Sequence, residues 1–261
     1  MTLQISFVDG AAYERYMGRW SQLVGRVFLD WLPYQTGWRW LDIGCGNGAF
    51  TEMIVEHAAP ESVAGIDPSE EQLAYAQRRA KSDRVAFRKG DAMELPYPAD
   101  SFDAAVMPLV IFFVPDPPKG VAEMVRVVRA GGIVSAYAWD MDGGGFPYAA
   151  LHEEMSDLGI EVPKAPSPAA SRAEVMRDLW EASGLGSVET REITVERGFG
   201  HFDDYWTTAL GGPSVGRQLA ALNTDETAVL KGRMRERLGI EGNAPVALRA
   251  RANAIIGYVR P

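Results

Sequence analysis

Cysteine is nearly absent from this chain: Cys45 is the single one in 261 residues. An intramolecular disulfide is therefore excluded. Histidine is scarce too, with His57, His152 and His201 the full set. No grouping of Asp, Glu and His has the spacing of metal ligands, so no metal is expected. No run reaches the roughly 18 apolar residues that a membrane span needs. The opening MTLQISFVDG lacks the basic stretch and apolar core of a signal peptide. A cytoplasmic protein is the expectation. Basic charge is short as well, and the formal net charge of −9 disfavours a broad nucleic-acid footprint. Internal repeats and low-complexity tracts are also missing.

What is present is apolar residues along the whole length, 47% by count, enough for one large core or a core with a small appendage. Residues 13–31 repeat apolar side chains, from Tyr13 and Tyr16 to Phe28 and Trp31, at spacings of three and four. That predicts a helix with one wide apolar face, with Asp9 as a possible cap. WRWLDIG reads as a buried strand, residues 50–57 as a helix, ESVAGID as a second strand, and residues 70–80 as a helix capped by Ser69. RVAFRKGD is a third strand and SFDAAVMPLVIFF begins a fourth. Asp116 and Pro117 are the cap and first-turn proline of a helix running to about residue 129. GGIVSAYAWD is a fifth strand. Strands and helices alternating in this way predict a parallel sheet covered on both faces.

The second half reads differently. Residues 141–168 are rich in Gly, Pro and Ala and read as loop with a short helix near Leu151. In SRAEVMRDLWEASG, Ser171 reads as a cap, Glu174 as its capping-box partner and Gly184 as the stop. VETREITVER alternates like a sixth strand, residues 200–240 are mainly helical by pattern, and PVALRARANAIIGYVR closes as a last strand.

Gly44, Gly46 and Gly48 crowd the turn after the first strand. Glycine weakens regular structure, so three in such a short run need a reason. A Gly-rich strand-to-helix turn lets a ligand reach backbone N–H groups and the positive helix end. It can also be a tight turn with no ligand. Asp67 ends the second strand, where an acid can accept from both hydroxyls of a ribose or cap the next helix. Asp91 follows the third strand with Ala92, where it can accept from an adenine amino group or shape the turn after Gly90. Gly131 and Gly132 open the fifth strand. Four such features at strand ends, in order, are harder to reach by chance than any one of them.

LDIGCGNGAF, GIDPSEEQL, RKGDAMELPYPADSFD and VRVVRAGGIVSAYAWD together resemble the successive motifs of class I S-adenosylmethionine-dependent methyltransferases, nearest their ubiquinone/menaquinone-methyltransferase-like branch. The resemblance covers residues 38–140. YERYMGRWS and HFDDYWTTALGG are similar to outer segments of bacterial members. It implies a doubly wound, seven-stranded, mostly parallel α/β sheet with a reversed final hairpin. A helical cover would occupy residues 1–36, the cofactor core 37–140, and the rest 141–261 with a helical insertion at 200–240. It implies that Gly44, Gly46 and Gly48 pack against the methionine part of S-adenosylmethionine, with Cys45 a small filler, and that Asp42 orients its amino group. Asp67 with Pro68 would hold the ribose, and Asp91, Ala92 and Met93 the adenine. Leu109 would border the cofactor and Arg19 would face its carboxylate.

Methyl transfer from a sulfonium is an in-line displacement, so the protein mainly supplies alignment and environment. A base is needed only where the acceptor must lose a proton. The Asn/Asp-Pro-Pro-Tyr run of amino-methylating relatives is missing; Met107-Pro108-Leu109 stands there, and DPPK at 116–119 comes too late. His57 reads as a helix-end charge and His152 as a solvated loop residue. His201 is the candidate base, with a surface role as the alternative. Tyr16, Trp20, Tyr205 and Trp206 are candidates to shape the acceptor pocket or to pack the core, with residues 200–240 closing over a small-molecule acceptor. KGRMRERL from Lys231 reads as a solvated basic face. The competing readings are a nucleotide-binding dehydrogenase, whose third glycine would come one residue later, and a non-catalytic cofactor-binding protein.

Overall fold

The computed structural model describes residues 14–212 and 215–261; Asp9 and Tyr13 lie outside them. Among the described residues seven strands form one sheet in the order β3-β2-β1-β4-β5-β7-β6. They are β1 (Arg39–Ile43), β2 (Ser62–Asp67), β3 (Val85–Lys89), β4 (Phe102–Pro108), β5 (Val128–Trp139), β6 (Gly186–Phe199) and β7 (Val246–Tyr258). The first five pair in parallel, and β7 runs antiparallel to both β5 and β6. This is the doubly wound sheet with a reversed last hairpin that the motifs implied. The chain order reverses between β1 and β4, where an open parallel sheet binds ligands beyond its carboxyl ends.

The helices are α1 (Arg19–Trp31), α2 (Ala49–Ala58), α3 (Glu70–Arg79), α4 (Pro117–Val127), α5 (Ala149–Asp157), α6 (Ala173–Ala182), α7 (Phe202–Leu210), α8 (Gly216–Ala221) and α9 (Thr224–Arg237). A π-helical turn, Glu14–Gly18, precedes α1, so the first helix is regular over a shorter span than its apolar repeat suggests. Ser69 and Asp116 cap α3 and α4 as expected, accepting from Gln72 N–H and Lys119 N–H.

Burial explains α1 better than capping does. Gly18 at its N-cap offers no side-chain bond, while Trp20, Val24, Phe28 and Leu29 are fully buried. Each such side chain stabilises by about 1.5–3 kcal/mol, more than a cap's typical ~1 kcal/mol. Phe28 reaches the Tyr137 ring of β5 at 4.6 Å. Gly25 allows this approach, since a methyl group there would lie 3.0 Å from Tyr137 Oη and 3.1 Å from Phe50 Cδ2. At the far side of the sheet, Trp180 of α6 donates its indole N–H to the Val134 carbonyl at 2.9 Å.

The cap of α6 differs from the expectation. Arg172 is the N-cap residue and makes no side-chain cap bond. Ser171 instead ends a 3₁₀ turn, and its hydroxyl donates to the Pro168 carbonyl (2.7 Å) while accepting from Met141 N–H (3.1 Å). The serine ties the chain after β5 to the start of α6. Tertiary contact has displaced the local cap, a competition open to any short hydroxyl side chain.

The inserted helices α7–α9 pack beyond β6 and reach back to α5. Glu154 of α5 receives Arg237 (3.0 Å) and Arg233 (3.3 Å) from α9, and Glu153 also pairs with Arg237.

Candidate functional site

Two neighbouring structures occupy the carboxyl end of the sheet, a polar cradle beyond β1–β3 and an apolar cavity beyond β4 and β5. The cradle starts where β1 delivers Asp42, which is fully buried. Thr51 Oγ1 donates to Asp42 Oδ2 at 2.6 Å, but buried Oδ1 has no protein partner. Desolvation, with the Asp67 charge adding to it, pushes the Asp42 carboxyl up to about 7 against the Thr51 bond. A cation placed beside it would restore the ionised form.

All three turn glycines take positive φ: 70° at Gly44, 51° at Gly46 and 79° at Gly48. Their surroundings differ. A methyl group on Gly44 would overlap the Val110 side chain, and one on Gly48 would lie 3.0 Å from Phe87 Cζ. On Gly46 it would meet nothing nearer than 4.0 Å. The protein's own packing fills the side-chain direction at Gly44 and Gly48, while at Gly46 that direction is open.

Five amides of the turn, at Gly44, Cys45, Gly46, Gly48 and Ala49, are already engaged. Gly44 N–H and Cys45 N–H both donate to the Ile66 carbonyl, and Gly48 N–H donates to the Cys45 carbonyl. Gly46 N–H donates to Asp67 Oδ2 (2.9 Å), Ser69 N–H to Asp67 Oδ1 (2.8 Å), and Ala49 N–H to Asn47 Oδ1 (3.2 Å). Burial raises the Asp67 pKa against these two bonds. Asp91, exposed at the rim, holds Met93 N–H on Oδ1 at 2.7 Å and so shapes its own turn. Ala92 and Met93 lie half-buried beside it, and Pro68 leads into α3. The cradle presents carboxylate acceptors at Asp42, Asp67 and Asp91, which suits a ligand bearing an ammonium, hydroxyls and an amino group.

Arg19 is exposed in a groove between α1 and α2, with Arg26, His57 and Arg79. The residue that clasps the glycine turn is Glu14. Its carboxylate accepts from Asn47 Nδ2 (2.9 Å), Arg79 Nη1 (3.2 Å) and Gln22 Nε2 (3.3 Å). Cys45 is buried, and desolvation raises its thiol pKa, which suits the filler role.

The cavity holds about 430 Å³. Its floor is Leu109 and Trp139 at the ends of β4 and β5, and its walls are Tyr16, Phe112, Phe113, Phe146, α5 and the chain from Val162 to Pro168. Leu109 has φ 59° and donates its N–H to the Tyr137 carbonyl at 2.7 Å. A non-glycine residue held in this region is strained. Leu109 faces the cavity while the next residue, Val110, presses on Gly44, so cradle and cavity share a wall.

Of the expected acceptor residues, Tyr16 lines the cavity, stacked on Tyr148 at 4.1 Å. Tyr148 Oη donates to the Tyr16 carbonyl at 3.1 Å, and burial pushes its phenol up to about 12. Trp20, Tyr205 and Trp206 stand behind the wall. Trp20 meets Trp139 edge-on at 6.5 Å, Tyr205 stacks on Tyr148 at 5.8 Å, and Trp206 packs on Phe202. These three support the wall and do not line it.

Both histidine readings change. His201 caps α7, its Nδ1 accepting from Asp204 N–H at 3.3 Å in a reciprocal capping box, and it is not among the cavity's lining residues. A base role for it loses its geometric support. His152 is half-buried and not in a loop: it sits on α5, lines the cavity and packs at 5.1 Å on Phe146. Desolvation lowers its pKa to about 4, which leaves it neutral at pH 7. The cover also moves: residues 141–168 line the cavity, and 200–240 buttress it through α9. The place of His152 in the cavity lining was not legible in the sequence, because its segment reads as loop. Among the described residues no three or more His, Cys, Asp or Glu group as a metal site, and no helix is long and apolar enough to cross a membrane.

Residues 41–136 match the family model described as a methyltransferase domain. Over 100 residues the chain is 39% identical to 2-methyl-6-phytyl-1,4-hydroquinone methyltransferase 1 of rice, covering 38% of this chain and 30% of the relative. Over 107 residues it is 42% identical to 27-O-demethylrifamycin SV methyltransferase of Amycolatopsis mediterranei, covering 39% and 38%. The chain thus spans about a third of the length of these curated relatives. Phosphoethanolamine N-methyltransferase 2 of Haemonchus contortus, solved with S-adenosyl-L-methionine, superposes with a TM-score of 0.62 at 20% identity, covering 99% of this chain and 61% of that one. That likeness is one of fold.

Proposed function

We propose that this chain, which carries a class I methyltransferase domain over residues 41–136, moves a methyl group from S-adenosylmethionine to a small or medium-sized organic acceptor held in the apolar cavity. The observation that carries this reading is the pairing of an acceptor-lined cradle with that cavity across the shared Leu109–Val110 wall.

The cradle's residues fit the cofactor. Asp42 Oδ1, buried without a partner, is placed to accept from the ammonium, directly or through water. Gly46 leaves open space at the turn for the methionine part. Asp67 and Asp91 stand at the ends of β2 and β3 for the ribose and the adenine. When bound, the cofactor supplies an activated methyl group on a sulfonium. The chain's part is to hold the acceptor in line with it and to exclude water. Leu109, strained at the boundary, and Tyr16 on the opposite wall set the acceptor's approach. The match of residues 41–136 to a methyltransferase domain weighs against the dehydrogenase reading.

Calorimetry with S-adenosylhomocysteine against NAD tests the cofactor. A hundredfold excess over its dissociation constant should raise stability by about 2.7 kcal/mol. No binding at millimolar concentration, or preferential binding of NAD, would sink the proposal. Labelled cofactor incubated with an extract of the source organism would then mark the acceptor for mass spectrometry.

A further inference from the structure

The cavity's interior and its one imidazole point to the kind of acceptor. Tyr16, Phe112, Phe113, Trp139 and Phe146 present flat faces around the space, and offset or edge contacts with such rings favour an aromatic occupant. The charged groups lining the same cavity are Asp142, Glu153, Asp157 and Lys164. The other two histidines are elsewhere, His57 in the groove beside α1 and His201 at its cap. His152 is also held on a braced element, because Glu153 and Glu154 beside it are pinned by Arg233 and Arg237. A base on a fixed wall is positioned more closely than one on a loop.

We propose that His152 is the catalytic base for a hydroxyl-bearing aromatic acceptor seated in this cavity, an inference that rests on the methyl-transfer reading. An aromatic hydroxyl attacks poorly until its proton is removed. In the step, the acceptor O–H bond breaks and its proton passes to an imidazole nitrogen of His152. The oxygen forms a bond to the methyl carbon, the carbon–sulfur bond breaks, and its electron pair stays on sulfur. The imidazolium then releases the proton to water. Desolvation keeps His152 neutral at pH 7 and also weakens it as a base, so what supports the role is its place in the cavity lining among the aromatic rings. Of the carboxylates that line the same cavity, Asp142 pairs with Arg172 and Glu153 with Arg237.

The probe is 2-naphthol, with naphthalene as the ring lacking the hydroxyl. With only three histidines, each imidazole can be followed by NMR in labelled protein. Adding 2-naphthol to the S-adenosylhomocysteine complex should shift the His152 signals and leave those of His57 and His201 in place. Naphthalene should compete for the cavity without reproducing the nitrogen shift. With S-adenosylmethionine, 2-naphthol should yield 2-methoxynaphthalene. His152→Gln should lower that rate about 100-fold or more while binding 2-naphthol and S-adenosylhomocysteine as the wild type does, which also shows that the variant is folded. Failure of 2-naphthol to bind, binding without methylation, an unmoved His152 signal, or an equal rate in His152→Gln each overturns the inference. Failure of S-adenosylhomocysteine to bind the wild type overturns the underlying reading instead.

Discussion

The cradle and the cavity lie side by side and are built on opposite terms. The cradle is short and polar, three strand-end turns whose side chains accept hydrogen bonds and whose amides bond one another. The cavity is wide and apolar, assembled from Tyr16, the end of β4, the end of β5, α5 and the chain to Pro168. Buried carboxyls in the first are held toward their neutral form, and so is the half-buried imidazole in the second. Each region shifts a group toward its uncharged form, Asp42 to about 7 and His152 to about 4. The difference lies in what supports them. The cradle rests on backbone, and the cavity rests on side chains from distant segments.

The sharpest way to break the comparison is within the glycine turn. Gly44→Ala combines a φ of 70° with overlap on Val110, and should destabilise by about 2–4 kcal/mol. Gly46→Ala has the φ cost alone, about 1–2 kcal/mol, and should instead lose affinity for S-adenosylhomocysteine. Denaturant unfolding and calorimetry on both variants decide it. Equal destabilisation would mean that Gly46 does not face the ligand.

Next in size is the acid pair. Asp67→Ala removes an acceptor for two backbone amides and, on the proposed reading, for the ribose. A bond to a charged group contributes about 1.5–3 kcal/mol, so its affinity loss should be tenfold or more, with some loss of stability. Asp91→Ala should lose less of both. Titration calorimetry giving the reverse order would move the ribose away from Asp67.

The two shifted groups oppose each other in pH. Asp42 has a raised pKa, so the folded state binds the extra proton and this group's contribution falls as pH rises from about 4 to about 7. His152 has a lowered pKa, so its contribution is present above the unfolded value and is lost as pH falls through 6.5 toward about 4. One proton gives a slope of about 1.4 kcal/mol per pH unit. Asp42→Asn should therefore make stability rise more steeply between pH 4.5 and 6, and His152→Gln should make it fall, relative to the wild type. Unfolding curves across that window read both signs.

The smallest effect belongs to the brace. Arg233→Ala should cost about 1 kcal/mol or less, since half-exposed ion pairs contribute little. It should slow transfer to the acceptor while leaving S-adenosylhomocysteine affinity unchanged. A loss confined to cofactor affinity would show that α9 does not support the cavity wall.

The sequence by itself determined the alternating strands and helices, the glycine turn and the acids at Asp67 and Asp91, while the reversed hairpin and the place of Asp42 came from the family resemblance. The strands, helices and turns follow from local rules: period-two and period-3.6 patterns, caps at Ser69 and Asp116, and turns only a few residues long after each strand. Tertiary structure alone decided that Ser171 ties two segments instead of capping α6, and that His201 caps while His152 lines the cavity. It also placed Tyr205 and Trp206 behind the wall, and made residues 141–168 rather than 200–240 the lining. The physical reason is that an apolar side chain's pattern says it must be buried but not against what. A cavity is the space left between elements far apart in sequence, and it takes shape only when they pack.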